Sequence, residues 1–168
     1  MKEMLEKVKE KFNKFVLAFE NRDLPCIVVK REGFLELMKF LKEEGFNHLI
    51  DLCGVDYLNY KPEKKPERFE VVYHLFNMNT KVLLRVKVPI PEEDCWQYSV
   101  VTLWKTANWF ERECFDMFGI KFKGHPDLRR LLMPEDWEGY PLRKDYPLEL
   151  PEEQEWKVYK ELKARGSK

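Results

Sequence analysis

The sequence predicts an α+β protein of two layers, with helices packed on a mixed β-sheet and an extended arm at the C-terminal end. Helix-like and strand-like segments alternate early, two β-rich runs flank a short polar turn in the middle, and prolines recur closely late in the chain. Alternation places helices on a sheet, and the hairpin makes that sheet mixed. We therefore expect an α+β domain over residues 1–119, an arm over 120–150 and a short charged helix over 151–168.

The first third of the chain supplies the alternation. Apolar residues recur at helical spacing from Lys2 to Glu20, which predicts one amphipathic helix over that range. Residues 26–29 form a short apolar run typical of a buried strand. A second helix is expected from Glu32 to the stop at Gly45, followed by a strand over 48–53.

The middle of the chain supplies the hairpin. Residues 69–76 and 81–88 are β-rich, and the Asn- and Thr-containing segment 77–80 has the composition of a hairpin turn. Residues 99–102 are strand-like, and a helix is predicted over 103–118 with Gly119 closing it.

Charge and hydropathy exclude two classes of partner. Lys plus Arg equals Asp plus Glu at 30 each, so no net field concentrates nucleic acid or an anionic membrane surface. No uninterrupted apolar stretch reaches bilayer length. We expect no nucleic-acid partner, and membrane contact only through other proteins.

The cysteines and glycines give no cofactor signature. Cys26, Cys53, Cys95 and Cys114 are far apart and none belongs to a Cys-x-x-Cys pair, which favours buried, reduced thiols in a cytosolic protein. Neither a G-x-G-x-x-G nor a Walker sequence occurs. We expect no cofactor on this chain.

A catalytic or metal centre around His125 is the main enzymatic alternative. Asp127 and the acidic residues Glu111, Glu113 and Asp116 lie nearby in sequence. His-Pro-Asp cannot place two ligands on one helix face, and no H-E-x-x-H pattern occurs. We expect neither catalysis nor a metal, and interpret His125 as a turn or interface residue.

Arg112 and Asp116 are four apart on the predicted helix and could pair.

The arm combines chain breakers with interface-forming side chains. Five prolines between residues 126 and 151 exclude a long helix or a central strand, so the segment must run extended. It nevertheless carries Leu, Met, Trp, Tyr and Arg side chains, and aromatic residues, Met and Arg are enriched at protein interfaces. Its arginines suit pairing with carboxylates on a neighbour. The arm is predicted to dock on a partner, to fold back over its own sheet, or to do both.

Two long blocks carry a family resemblance. Residues 111–132 (ERECFDMFGIKFKGHPDLRRLL) and 139–147 (GYPLRKDYP) resemble the C subunit, or 30-kDa-subunit family, of respiratory NADH:quinone oxidoreductase, complex I. Residues 51–57 (DLCGVDY) and 72–75 (VYHL) are also similar to that family.

The resemblance implies a structural subunit without flavin or iron–sulfur cluster. Such a subunit would sit in the peripheral arm of the complex at the cytoplasmic face of the membrane, against the D subunit and neighbouring iron–sulfur subunits. Related membrane-bound hydrogenases and ferredoxin- or coenzyme F420-linked oxidoreductases share the module and remain an alternative. The residues predicted to contact a partner are Glu113, Asp116, Gly119, His125, Pro126, Asp127, Leu128, Arg129, Arg130, Trp137, Pro141, Leu142, Arg143, Lys144, Asp145 and Tyr146.

Overall fold

The computed structural model describes residues 2–21, 23–61, 67–148 and 164–165. In chain order its elements are α1 (Lys2–Phe12), β1 (Val16–Asn21), β2 (Pro25–Val29), α2 (Arg31–Glu43), β3 (His48–Asp56), β4 (Phe69–Asn77), β5 (Val82–Ile90), β6 (Trp96–Tyr98), α3 (Ala107–Phe118) and β7 (Lys121–Lys123). The five larger strands form one sheet in the order β1-β2-β5-β4-β3, and β6 and β7 form a separate parallel pair.

The sheet is mixed, as predicted. Strand β2 runs parallel to β5, whereas the β1–β2, β3–β4 and β4–β5 pairs are antiparallel. With three helices packed on it, the predicted α+β class is confirmed. The predicted helix over 151–168 lies outside the described residues, apart from residues 164 and 165.

One face of the sheet carries the core. Alternate residues of β5, from Leu84 to Ile90, are buried, and α2 buries Phe34 and Leu37 against this face. The ring of Phe34 lies 4.9 Å from that of Tyr73 on β4, centroid to centroid. The opposite face includes charged side chains: Arg85 donates to both carboxylate oxygens of Asp23 and to His74. This alternation explains how a chain so rich in charge still builds one core.

The predicted helix over residues 2–20 is wrong beyond Phe12. Met4, Val8 and Phe12 are buried at helical spacing, but the chain then turns, with Phe15 N donating to Phe12 O. From Val16 onward it pairs with β2 as an edge strand. The apolar residues of this segment suit either period, so pairing with a neighbouring strand decides the conformation.

The predicted strand over 99–102 is also wrong. The strand lies earlier, over Trp96–Tyr98, because its partner β7 is placed opposite those residues. After it, Leu103 N and Trp104 N both donate to Val100 O in a turn, and α3 begins at Ala107 instead of at residue 103.

The central hairpin is confirmed: Asn77 Oδ1 accepts from the backbone N–H groups of Asn79 and Thr80.

The cysteines are free thiols. Cys26 and Cys114 are buried, and Cys53 and Cys95 are partly buried. Burial raises the pKa of the Cys26 and Cys53 thiols to about 11, so neither is a thiolate at neutral pH.

Candidate functional site: the anchored arm

Helix α3 ends in a way that directs the chain into the arm. Gly119 has φ +74°, and its N–H donates to Phe115 O, which closes the last turn of the helix. The chain then forms β7 beside β6. Glycine is favoured in the left-handed conformation because glycine lacks a Cβ.

Asp116, on the last turn of α3, is the first anchor of the arm. Its side chain is fully buried, and its Oδ2 accepts from Leu131 N at 2.9 Å, Leu132 N at 2.7 Å and Met133 N at 2.8 Å. Its Oδ1 accepts from Arg130 Nη1 at 2.7 Å. Burial acts to raise the pKa of Asp116, but these donors outweigh it and hold the pKa below the usual value.

Arg130 extends this anchor along the arm. Its Nη2 donates to Trp137 O at 2.9 Å and to Gly139 O at 3.0 Å, and its guanidinium lies 5.4 Å from the centroid of the Tyr140 ring. One side chain therefore ties residues 130–140 to α3. Arg130 thus pairs with a carboxylate of its own chain, and its contact with a partner stays a prediction.

Asp56 and Arg68, where β3 ends and just before β4 begins, form the second anchor. Asp56 Oδ2 accepts from Lys144 N at 2.9 Å, and Arg68 pairs with Asp56 at 3.0 Å and with Asp145 at 2.7 Å. Burial acts to raise the pKa of Asp56, but Arg68 and the Lys144 N–H lower it. The far end of the arm is thus fixed to the sheet.

Arg143 packs between the two anchors. Its Nε donates to Phe118 O at 2.7 Å, and its guanidinium lies 5.0 Å from the Phe69 ring centroid and 4.7 Å from that of Tyr140. Next to it, Leu142 N donates to Met117 O at 3.1 Å. The arm therefore folds back over its own domain, one of the alternatives that the sequence left open.

Replacing Gly119 by alanine is expected to lower the free energy of unfolding by about 2 kcal/mol, measured by urea denaturation. A Cβ at this position would lie 2.5 Å from Tyr140 Cε2 and 2.8 Å from Arg143 Nη2, and φ is +74°. Gly124→Ala is the matched control, since its φ is +88° but a Cβ there meets nothing within 4 Å. Equal losses in the two variants would show that the Tyr140 contact does not matter.

Among the described residues, three large apolar side chains on α3 and on the stretch of the arm bound to it remain in solvent. We call Trp109, Leu132 and Leu142 the outer apolar set; they are 60%, 61% and 51% exposed. Trp109 lies on α3 two turns before Asp116, Leu132 donates its N–H to Asp116, and Leu142 donates its N–H to Met117. All three therefore lie on α3 or on the part of the arm bound to it.

Arg112 braces this region and was missed as a site residue. Its guanidinium lies 5.1 Å from a Trp109 ring centroid and donates to Arg129 O at 3.2 Å and Arg130 O at 3.0 Å. The predicted Arg112–Asp116 pair does not form, because Asp116 is taken by the arm. Trp109 was missed as well, although its place one helical turn before Glu113 marks the same face.

The remaining predicted residues of the first block lie at the surface. Arg129 pairs with Asp127 at 2.8 Å in an exposed salt bridge, and Glu113 is exposed. His125 Nδ1 accepts from Asp127 N at 3.0 Å, and its Nε2 lies 3.2 Å from Asn108 O. One ring nitrogen thus bonds within the turn and the other contacts α3, whereas contact of His125 with a partner stays a prediction.

The other predicted contact residues follow the arm. Leu128, Trp137, Pro141 and Tyr146 are partly buried, and Pro126, Lys144 and Asp145 are exposed. Their contact with a partner stays a prediction.

Within the described ranges, no group of three or more His, Cys, Asp or Glu side chains could hold a metal ion. In the same ranges no helix combines the length and apolarity needed to cross a bilayer.

Fold and site together define a small α+β module whose C-terminal arm is fixed on its own third helix with apolar side chains left outside. The sequence model of the family described as respiratory-chain NADH dehydrogenase, 30 kDa subunit, matches residues 27–152. The chain belongs to this family.

Named relatives agree with this assignment. The C subunit of the NADH-quinone oxidoreductase of Citrifermentans bemidjiense is 46% identical over 153 residues, covering 90% of this chain and 92% of the relative. The fifth subunit of the Thermus thermophilus NADH-quinone oxidoreductase is 51% identical over 127 residues, 73% of this chain and 61% of the relative.

Among solved structures, a trypsin-resistant fragment (1–134) of Nqo5 matches with a TM-score of 0.66 at 41% identity, covering 74% of this chain and 99% of the fragment. A chain of an archaeal membrane-bound sulfane sulfur reductase matches with a TM-score of 0.72 over 98% of this chain and 91% of its own length. At 24% identity, that second likeness shows the fold alone.

Proposed function

We propose that this chain is the C subunit of a proton-translocating NADH:quinone oxidoreductase and acts by docking, without a redox cofactor of its own. Its binding partner is the D subunit, with iron–sulfur subunits of the peripheral arm beside it. It reaches the cytoplasmic face of the membrane only through the assembled complex. The 46% identity to a relative named as that subunit, over 90% of this chain, supports the proposal.

Two features of the arm support the docking role. Its backbone is bound to its own domain, and the apolar side chains of the outer apolar set are exposed. Fixing the arm through Asp116 means that little conformational entropy is lost when a partner binds to it. Trp109, Leu132 and Leu142 then offer apolar surface that a partner can bury. Trp is also among the residue types that most often dominate binding energy.

Co-purification tests this function. A tagged copy of the full chain is expressed in its native organism, and the membrane complexes are extracted mildly and analysed by mass spectrometry. The D subunit and iron–sulfur subunits of an NADH:quinone oxidoreductase are expected to elute with it in fixed proportion. Recovery as a lone monomer would overturn the proposal.

A further inference from the structure

Glu111 is a carboxyl group sealed inside the protein and unused by the docking site. It lies in α3 and is 0% exposed. Its Oε1 accepts from Val100 N at 2.7 Å, whereas its Oε2 is buried without a hydrogen-bond partner among the residues described. A charged carboxylate with an unpaired oxygen in the interior is strongly unfavourable, so the arrangement favours the neutral acid.

The groups that face Glu111 do not supply a compensating charge. They are the Ser99 hydroxyl and the Val100 N–H in the segment after β6, Tyr73 on β4 and Cys114 on α3 itself. In this part of the described structure none of them is a cation. By contrast, Asp116 on the same helix has Arg130 and three peptide N–H groups.

The Tyr73 side chain is sealed in the interior in the same way. It is 0% exposed, and its hydroxyl is also buried without a partner in the described structure. Burial first, and then the nearness of Glu111, raise the pKa of the Tyr73 hydroxyl. The two unpartnered atoms are not hydrogen-bonded to each other, so Tyr73 does not supply the bond that an ionised Glu111 Oε2 would need.

We propose that Glu111 is an internal proton-binding site, occupied in the folded protein at mildly acidic pH, with the proton on the buried Oε2. The other oxygen of the acid keeps its bond from Val100 N–H. Through Val100, the site connects α3 to the segment that follows β6, and β6 pairs with the first strand of the arm. Loss of the proton would place an uncompensated charge at this junction.

The sign of the pH effect follows from the raised pKa. Burial raises the pKa of Glu111 to about 7 from its ordinary value of 4.5, and the bonds from Ser99 and Val100 offset only part of that rise. Between these values the folded state binds more protons than the unfolded state. The contribution of Glu111 to stability is therefore complete below the lower value, falls as the pH rises through this window, and stays lost above it.

Urea unfolding of the full chain at about pH 5.5 and about pH 8.5 tests the proposal. Glu111→Gln keeps one acceptor and one donor, and so mimics the protonated acid. The excess of its urea midpoint over that of the wild type is expected to be small at the lower pH and clearly larger at the higher pH. Glu113→Gln, on the exposed side of the same helix, should keep the wild-type pH dependence. The same fall in midpoint in Glu111→Gln as in the wild type would overturn the proposal.

A second measurement uses only the wild-type chain and so covers the case in which Glu111→Gln does not fold. Infrared spectra of the full chain in D2O should show a protonated-carboxyl C=O band at about pH 6, where exposed Asp and Glu side chains are ionised. That band should disappear at about pH 9. No such band at the lower pH would contradict an occupied proton site.

Discussion

Replacing Asp116 by asparagine is expected to lower the free energy of unfolding of the full chain by about 3 kcal/mol and to expose the arm to protease. The substitution keeps the shape of the side chain but removes the charge that three backbone N–H groups and Arg130 converge on. An amide N–H2 group would face donors, and the partly buried Arg130 guanidinium would lose its counter-ion.

Two measurements test this effect: urea denaturation, and the rate at which trypsin cleaves after the Arg and Lys residues between positions 129 and 144. The matched control is Asp127→Asn, because Asp127 also pairs with an arginine of the arm, but in solvent. Exposed pairs contribute little, so the control should unfold like the wild type. If the two variants lose the same stability, Asp116 is not the anchor of the arm.

Replacing Trp109 and Leu132 together by serine is expected to weaken binding of the full chain to the D subunit by about 30-fold or more. Both side chains are mostly exposed in the free chain, so their loss should cost binding energy and leave folding intact. The affinity of the purified chain for the D subunit is the readout. Circular dichroism during urea unfolding checks that the fold survives.

Met78→Ala is the control for this prediction. Met78 is also a large exposed apolar side chain, but it lies in the turn between β4 and β5, away from the arm. Its replacement should leave the affinity unchanged. Unchanged affinity in the double variant, with a D subunit that binds the wild type, would show that the partner contacts a different surface.

Most of the sheet domain could be predicted from local patterns. The hairpin of β4 and β5 shows in sequence because the β-rich runs and the Asn-containing turn agree with each other. The end of α1 could not be found in this way. The chain continues with apolar residues that suit a helix or an edge strand, and only pairing with β2 makes it a strand.

The anchors of the arm were beyond sequence reasoning for a different reason. Asp116 and Arg130 are 14 residues apart and belong to no local spacing rule, whereas Arg112 and Asp116 fit the i,i+4 rule and do not pair. The peptide N–H groups that surround Asp116 carry no sequence signal at all. The prolines correctly predicted an extended segment, but which surface it covers depends on the assembled fold.

The arm is bound to its own domain before any partner arrives. Hydrogen exchange of the backbone amides of Leu131, Leu132 and Met133 in the isolated full chain tests it most directly, because all three donate to Asp116. These amides are expected to exchange far more slowly than those of an unstructured peptide of the same sequence. Exchange at the unstructured rate would contradict it.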